Sequence, residues 1–323
     1  MSIAAILRRA LLILTLAGPA WGQTPPASDS APASDTPVSE IEIIAHLPGP
    51  ALWRVSTPKS ELWIVGLAGP TPKRLEWDTR RVEAALDGAH ELILPPGASI
   101  GMLDMVGLLL DPSHRYHYPG GQTLRGAMSP DQRRKFDAAA ASVGQDPAHY
   151  DHWRPLVVFI ALVADAQKHD GLNMEGPQKT LMHLAEAKKV PTRRLTNYST
   201  GSMIQAFKDA SPQDQERCLA LAVDMAPRLP AFSARLGEAW AHGQVDAALG
   251  DQAEIVSDAC FTSTPGFRRL EDRRMQDWAK GLAQTLQQPG KTVLAIDIRS
   301  LTSPGGLLEQ LKAQGLEVTG RAY

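Results

Sequence analysis

The sequence predicts an α/β (α+β) fold, in which one mixed sheet is built from an N-terminal and a C-terminal piece. Strand, helix and strand patterns follow one another near residues 51–97 and again near residues 270–319. The long stretch between these pieces carries helix-start signals and few strand patterns, which predicts a large helical insert. With 323 residues the chain is long enough to bury a sizeable core.

The N-terminal piece begins with two short apolar strands, at residues 52–55 and 62–65. A turn that contains Pro58 separates them, so the pair is expected to form a hairpin. The apolar spacing of residues 77–89 predicts a helix, and residues 91–94 (ELIL) follow as a buried strand. A strand, a helix and a strand in this order indicate one crossover between parallel strands.

The C-terminal piece repeats the α/β pattern. Residues 270–286 and 304–314 have helical spacing, and residues 292–298 (TVLAIDI) and 316–319 (LEVT) are expected to be strands. The two pieces are therefore expected to share one sheet.

The insert between the pieces is expected to be mostly helical. Ser129-Pro130 and Ser211-Pro212 are N-cap and first-turn signals. The expected helices cover residues 101–110, 130–143, 155–168 and 179–189, one that begins at Pro212, and short pieces at 236–242 and 245–249; a short strand is expected at 192–196.

The first 22 residues have the pattern of a secretory signal peptide. Arg8 and Arg9 precede the apolar run ALLILTLA, and Ala20 and Gly22 put small residues at the two cleavage subsites. Cleavage is expected after Gly22, which predicts a location in the periplasm or outside the cell. An uncleaved anchor is the alternative, although the apolar run is too short to span a bilayer.

Domain boundaries follow from composition. Residues 23–46 are rich in Pro, Ser and Ala and are expected to be a disordered linker, in which IEIIA (41–45) has the pattern of a short strand. The folded domain is expected at 47–323, with an α/β core at 47–98 and 268–323 and the insert at 99–267. A net charge of −2 gives no reason to expect nucleic-acid partners, and no later segment has a transmembrane pattern.

The chain has two cysteines, Cys218 and Cys260. In an oxidising compartment an even count favours a disulfide, which would stabilise the fold by roughly 3–4 kcal/mol. Two buried free thiols are the alternative. Metal ligation by this pair alone is disfavoured, because no CxxC or paired-His spacing accompanies it.

Two histidine pairs have spacings that metal sites use. His114 and His117 lie in a loop without a nearby carboxylate beyond Asp111, so solvation or hydrogen bonding is favoured over ligation. His149 and His152 flank Asp151 and are expected to cap or pack the start of the following helix.

Basic and aromatic residues in the N-terminal piece have simple structural interpretations. The basic residues around the first helix favour a solvated face, and the tryptophans favour the core over a ligand-stacking platform. The basic residues are Lys73, Arg74, Arg80 and Arg81, and the tryptophans are Trp53, Trp63 and Trp77.

The two ends of the chain resemble one known family. The front reads LWRVS…ELWIVGL…LEW…RRVEAALDGAHELIL, and the back reads DRRMQDWAKGL…GKTVLAI…SPGGLLEQLKAQGLEVTGR. These patterns resemble the TraB/GumN family, which belongs to the same broad superfamily as the Tiki proteases and the ChaN-like haem-binding proteins. The resemblance covers about residues 52–321 and is strongest at the two ends.

The resemblance implies polar groups at strand ends. Typical members end the second strand in Gly-x-x-His, place Glu after the third strand and carry a second Gly-x-x-His near the C-terminus. In the Tiki-like branch these groups are taken as metal ligands, a set that would hold a divalent ion and activate water. This sequence has Gly69, Pro95 and Ser300 at those positions. Gly and Pro offer no side-chain donor to a metal.

An Arg-Asn pair precedes the second His in typical members. It aligns with Glu271-Asp272 in this chain, and a shift of one or two residues would place Arg273 or Arg274 there.

Asp297 and Arg299 stand at the end of a predicted strand, where alternation would put both on one side. They are expected to form an internal salt bridge, a solvated strand end, or a polar floor in which Arg299 binds an anion.

Two functions remain open on these grounds. The first is a non-catalytic periplasmic or secreted protein, without a cofactor, that binds a small ligand, a peptide or an envelope partner in the altered cleft. The second is a divergent metallopeptidase-like hydrolase that uses Asp297, Arg299 and Ser300 with a histidine from the insert.

Overall fold

The computed structural model describes residues 49–99, 116–195, 197–199, 209–253, 260 and 264–320. All of them belong to one compact unit, Ala45–Tyr323. The expected signal peptide and linker, the apolar segment 101–110 and His114 lie outside the described residues, and the domain boundaries remain predictions. Within the described ranges no helix has the length and apolar character needed to cross a membrane.

A six-stranded mixed sheet forms the centre of the fold. Its strands, in spatial order, are β10 (Glu317–Thr319), β1 (Leu52–Ser56), β2 (Ser60–Leu67), β9 (Gly290–Asp297), β4 (Glu91–Leu94) and β7 (Thr192–Arg194). The β1–β2 hairpin and the β1–β10 pair are antiparallel, and β2, β9, β4 and β7 run parallel. The expected mixed sheet, shared by both ends of the chain, is confirmed.

The C-terminal strand β9 lies between the two parallel strands of the N-terminal piece. Leu67 at the end of β2 pairs with Asp297 at the end of β9, and Ile93 of β4 pairs with Leu294. The carboxyl ends of β2, β9 and β4 therefore meet at one edge of the sheet.

Helices cover both faces of the sheet and build the insert. They are α1 (Arg80–Leu86), α2 (Leu124–Ala127), α3 (Pro130–Ser142), α4 (Pro155–His169), α5 (Gly176–Ala187), α6 (Pro212–Met225), α7 (Leu229–Ala241), α8 (Val245–Ala253), α9 (Pro265–Thr285), α10 (Ile298–Thr302) and α11 (Leu307–Ala313). Two short ladders join loops, β3 (Thr71–Pro72) with β6 (Leu172–Asn173) and β5 (Gly97–Ser99) with β8 (Asn197–Ser199).

The core follows from strand alternation, because successive side chains point to opposite faces of the sheet. On β9, Leu294 packs in the cluster that includes Trp240 of α7 and Leu282 of α9. Its neighbour Val293 packs in a second cluster with Leu86 of α1. The sheet is thus a middle layer between two helical layers.

A disulfide joins Cys218 of α6 to Cys260, with 4.9 Å between the two Cα atoms, as expected for an oxidised pair. Both cysteines are buried. Helix α6 begins at a capping box in which the side chains of Ser211 and Asp214 each accept the backbone N–H of the other.

Two sequence expectations are wrong in detail. The first helix ends at Leu86, because Gly88 takes φ +71 and breaks the helical path, and it begins only at Arg80. Strand β9 ends at Asp297, whose side chain caps the short helix α10. Arg299 therefore lies on a helix, and strand alternation does not place it beside Asp297.

Candidate functional site

The candidate site lies at the carboxyl edge of the sheet, where open α/β sheets commonly bind ligands. Gly69 follows β2, Pro95 follows β4, and Ser300 lies three residues beyond the end of β9. Topology thus brings to one edge of the sheet the three positions that sequence comparison singles out.

Gly69 is closed in by the main chain of the insert. A Cβ atom at this position would lie 2.6 Å from the carbonyl oxygen of Met174 and 3.3 Å from its carbonyl carbon. The approach is fixed by the ladder that follows, in which Thr71 of β3 pairs with Asn173 of β6. A histidine at position 69 would require the backbone around Met174 to move.

The turn before Gly69 is held from the other side by α7. The indole Nε1 of Trp240 donates to the carbonyl oxygen of Gly66 over 2.6 Å, and this bond is buried. The ring of Trp77 packs edge-on against Trp240, with 5.1 Å between ring centroids. A Cβ atom at Gly66 would contact Trp53 and Ile298, both at 3.1 Å.

Pro95 is likewise engaged by a neighbouring strand end. Its carbonyl oxygen accepts a hydrogen bond from Nη1 of Arg194, which ends β7. At the position where the resembled family has a carboxylate, this chain thus offers only a backbone carbonyl oxygen. That oxygen already accepts a hydrogen bond from Arg194.

Asp297 acts as the N-cap of α10. Its Oδ1 accepts the backbone N–H of Arg299 over 3.0 Å and that of Ser300 over 3.1 Å, and it lies 3.4 Å from Ser300 Oγ. Burial raises the pKa of the Asp297 carboxyl, and the bond from the Ser300 N–H and the charge of Arg274 partly oppose that rise.

Arg274 is the residue of α9 that reaches Ser300. Its Nη2 donates to Ser300 Oγ over 2.7 Å and also to Glu271 Oε1, while its buried Nε has no hydrogen-bond partner among the residues that the structure describes. A shift of one or two residues in the sequence alignment would match the family's arginine with Arg273 or Arg274. In the structure it is Arg274 that contacts the site.

Acidic and basic side chains meet at this edge. Two carboxylates, Asp297 and Glu271, stand near two guanidinium groups, Arg274 and the half-buried Arg299, whose pKa is lowered by burial. Ser300 Oγ contacts a carboxylate and a guanidinium, and its hydrogen-bond partners among the described residues include no imidazole. The arrangement is a polar cluster in which the bond from Arg274 to Ser300 joins α9 to α10.

Two of the insert histidines with metal-site spacings, His117 and His149, pack against aromatic rings. His117 stacks on Trp153 with ring centroids 4.4 Å apart, and His149 packs edge-on against Tyr150 at 5.0 Å. Asp151 accepts a bidentate pair from Arg125, 3.0 Å from Nε and 2.6 Å from Nη2, which lowers the pKa of Asp151. In the part of the chain that the structure describes, no group of three or more His, Cys, Asp or Glu residues is arranged to hold a metal ion.

The basic residues around the first helix and the N-terminal tryptophans agree with their structural interpretations. Lys73 and Arg74 are exposed, and the guanidinium of Arg80 pairs with Asp78. Trp53 is buried, and Trp63 is partly buried under Arg54, whose Cζ lies 5.7 Å from the ring centroid.

Sequence reasoning missed three groups that shape this edge: the Met174 carbonyl, Arg194 and Trp240. None lies in a motif of the N- or C-terminal piece, since all three belong to the insert. Trp240 gives a weak signal, as a large aromatic in an apolar helix. The contact with Met174 involves its main-chain carbonyl, so it cannot be predicted from the identity of the side chain at position 174.

One comparison with known proteins gives a match. The model of the TraB/PrgY/gumN family matches residues 51–320, which is most of the chain. No curated protein and no solved structure matches the sequence.

Proposed function

This chain belongs to the TraB/PrgY/gumN family, and we propose that it is a periplasmic or secreted member that acts by binding rather than by catalysis. The carboxyl edge of the sheet would bind a small ligand, a peptide or an envelope partner.

One observation carries this proposal: each substituted site position is tied to another part of the chain. Gly69 lies against the Met174 carbonyl, Pro95 accepts from Arg194, and the Ser300 hydroxyl accepts from Arg274. A simple loss of ligands would leave an open cleft at these three positions. These substitutions instead come with compensating contacts, which supports a stable, non-catalytic edge.

The location rests on the signal-peptide pattern of residues 1–22. The buried disulfide between Cys218 and Cys260 supports it, because structural disulfides persist in oxidising compartments. Expression of the full chain with N-terminal sequencing of the mature protein tests it, and Gln23 is the expected first residue.

Metal analysis of the purified mature protein, with a broad peptidase screen, tests the absence of catalysis. We expect substoichiometric metal and no proteolysis that responds to added zinc, manganese or cobalt. Stoichiometric, tightly bound metal or metal-dependent proteolysis would refute the proposal.

Site-specific photo-cross-linking in the periplasm tests the binding role. Met174 is 52 % exposed and lies beside Gly69, so a photoreactive residue there would report a partner at this edge. Ile160, 43 % exposed on α4, is the matched control. We expect a discrete cross-linked product from position 174 alone. Products from both positions, or from neither, would contradict a macromolecular partner at this edge.

A divergent hydrolase is the second candidate, favoured by one observation. Ser300 Oγ lies 3.4 Å from an Asp297 carboxyl whose pKa is raised by burial, as a general base requires. Hydrolysis of a model ester or peptide that is lost in Ser300→Ala and kept in Ser303→Ala would establish this alternative. Equal rates in both variants would exclude Ser300 as a nucleophile.

A further inference from the structure

A second polar site, a pocket, lies between the β4–β7 side of the sheet and the C-terminal end of α9, beside Arg194. Its volume is about 260 Å³. Its polar lining comes from His90, Glu91, Arg193, Gln284, Thr285 and Gln288. Gln284 lies ten residues beyond Arg274 on α9, which corresponds to about 15 Å along the helix axis.

The pocket wall on the sheet side is a locked ion pair. Nε and Nη2 of Arg193 each donate to one oxygen of Glu91, both over 2.8 Å. This bidentate bond lowers the pKa of Glu91, so the carboxylate stays ionised and paired with its arginine. The two charges of the pair offset each other. The remaining lone pairs of the carboxylate and the Nη1 group of Arg193 can form hydrogen bonds with a ligand.

The wall on the helix side consists of neutral polar groups. Gln284 and Gln288 are exposed, and a carboxamide both donates and accepts hydrogen bonds. The Thr285 hydroxyl donates a hydrogen bond to the carbonyl oxygen of Gly281 over 3.0 Å. On the sheet side, His90 Nε2 lies 3.3 Å from the hydroxyl of Thr292 of β9.

The floor is fixed by close packing of the helix on the strand end. A Cβ atom at Gly281 would lie 2.9 Å from Cδ2 of Leu195, so α9 packs closely on the end of this leucine side chain. Leu195 and Gly281 give the pocket a small apolar base beneath its polar side chains.

The charges of the pocket exclude most ligand classes. An anion would meet the Glu91 carboxylate and the negative end of the α9 dipole. A cation would meet Arg193. A carboxylate or phosphate would also find the guanidinium fork already occupied by Glu91.

A hydroxyl group suits the pocket best, because it donates to the Glu91 carboxylate and accepts from Arg193 and the glutamine amides. We propose that this pocket binds a neutral, polyhydroxylated molecule, one unit of a saccharide. The site is separate from the carboxyl edge and does not depend on the function proposed there. Its described lining includes no Phe, Tyr or Trp side chain on which a sugar could stack, so it is expected to bind weakly, with a Kd on the order of 1 mM.

Titration of ¹⁵N-labelled mature protein with glucose and with maltose, followed by NMR, tests the proposal. We expect saturable shifts at the amides of Arg193, Gly281 and Gln284. Gln284→Ala combined with Gln288→Ala should weaken binding at least about tenfold, the effect of losing about 1.4 kcal/mol. Gln287→Ala, an exposed neighbour outside the pocket lining, is the matched control and should bind as wild type does.

Glycine and inorganic phosphate are the charged comparison probes in the same titration. Tighter binding of either at these amides would overturn the proposal in favour of a zwitterion or anion site. The absence of saturable shifts with both sugars, or equal binding by the double variant and the control, would overturn it outright.

Discussion

The packing at Gly69 gives the sharpest test of how the site was altered. Replacing Gly69 by alanine adds one methyl group and no new chemistry. Its Cβ would stand 2.6 Å from the carbonyl oxygen of Met174, well inside ordinary contact, since carbon atoms pack best at about 3.5–4.0 Å. The opposing atom is main chain, so the clash is not relieved by a side-chain rotation.

The magnitude follows from what must move. The Met174 carbonyl directly follows β6, whose Asn173 is held by pairing with Thr71 of β3, and the turn itself is held by the Trp240 bond to Gly66. Small-to-large changes in a site that is packed this tightly destabilise by about 1–3 kcal/mol. We therefore expect Gly69→Ala to lower the free energy of unfolding by that amount.

Urea denaturation followed by circular dichroism measures the effect. Gly250→Ala is the matched control, because Gly250 lies in helix α8 with no atom within 4 Å of its added Cβ. Alanine favours a helix over glycine by roughly 0.5–1 kcal/mol, so the control should be neutral or stabilised. If Gly69→Ala unfolds at the same urea concentration as this control, the contact with the Met174 carbonyl does not restrict the side chain at position 69, and the prediction is wrong.

The same contact governs any attempt to rebuild the family site. A variant that carries Gly69→His, Pro95→Glu and Ser300→His has the residue types that the resembled family places at these three positions. We expect it to bind no stoichiometric zinc, because the Met174 carbonyl occupies the space that a side chain at position 69 must enter.

Four further predictions concern stability. Cys260→Ser removes a disulfide that closes a separation of 42 residues and should lower the free energy of unfolding by about 4 kcal/mol, after which a reductant should have no further effect on the urea midpoint. Trp240→Phe leaves the buried Gly66 carbonyl without its donor and should cost about 1–3 kcal/mol in the same assay. Burial raises the pKa of Asp297 in the folded state, so wild type should lose stability relative to Asp297→Asn as the pH rises above about 4. An arginine partner lowers the pKa of Asp151, so wild type should lose stability relative to Asp151→Asn as the pH falls through about 4. Urea midpoints across a pH series test both signs, and equal slopes for the two variants would contradict the assignment.

Local patterns predict most elements of the fold. The hairpin of β1 and β2 and the strand Glu91–Leu94 follow from apolar runs bounded by turn residues. Ser129 and Ser211 mark two helix starts through their capping chemistry, and both helices begin at the next residue. These features depend on neighbours within a few residues, so one sequence suffices to predict them.

The arrangement of the sheet is less accessible to the same reasoning. That both ends share a sheet follows from their matching α/β patterns, but the position of β9 between β2 and β4 depends on contacts more than 200 residues apart in the chain. Residue types encode that a strand is buried, and they do not encode its partner.

The end of β9 shows where strand and helix signals compete. The run TVLAIDI continues the apolar pattern through Ile298. The Asp297 carboxylate accepts two N–H groups ahead of it and starts a helix instead. Aspartate is a preferred N-cap and is depleted in strands, so the residue type at position 297 is a signal from which the end of the strand could have been predicted.

Helix α9 links the two sites and also separates them. Near its middle, Arg274 holds Ser300 at the carboxyl edge, and ten residues later Gln284 lines the second pocket. Substitutions more than about 7–10 Å apart with no shared partners add independently. Arg274→Ala should therefore perturb the carboxyl edge while leaving sugar-induced shifts at Gln284 unchanged. Coupling between them would mean that the helix moves as a unit when either site is occupied, and the two sites would then have to be treated as one.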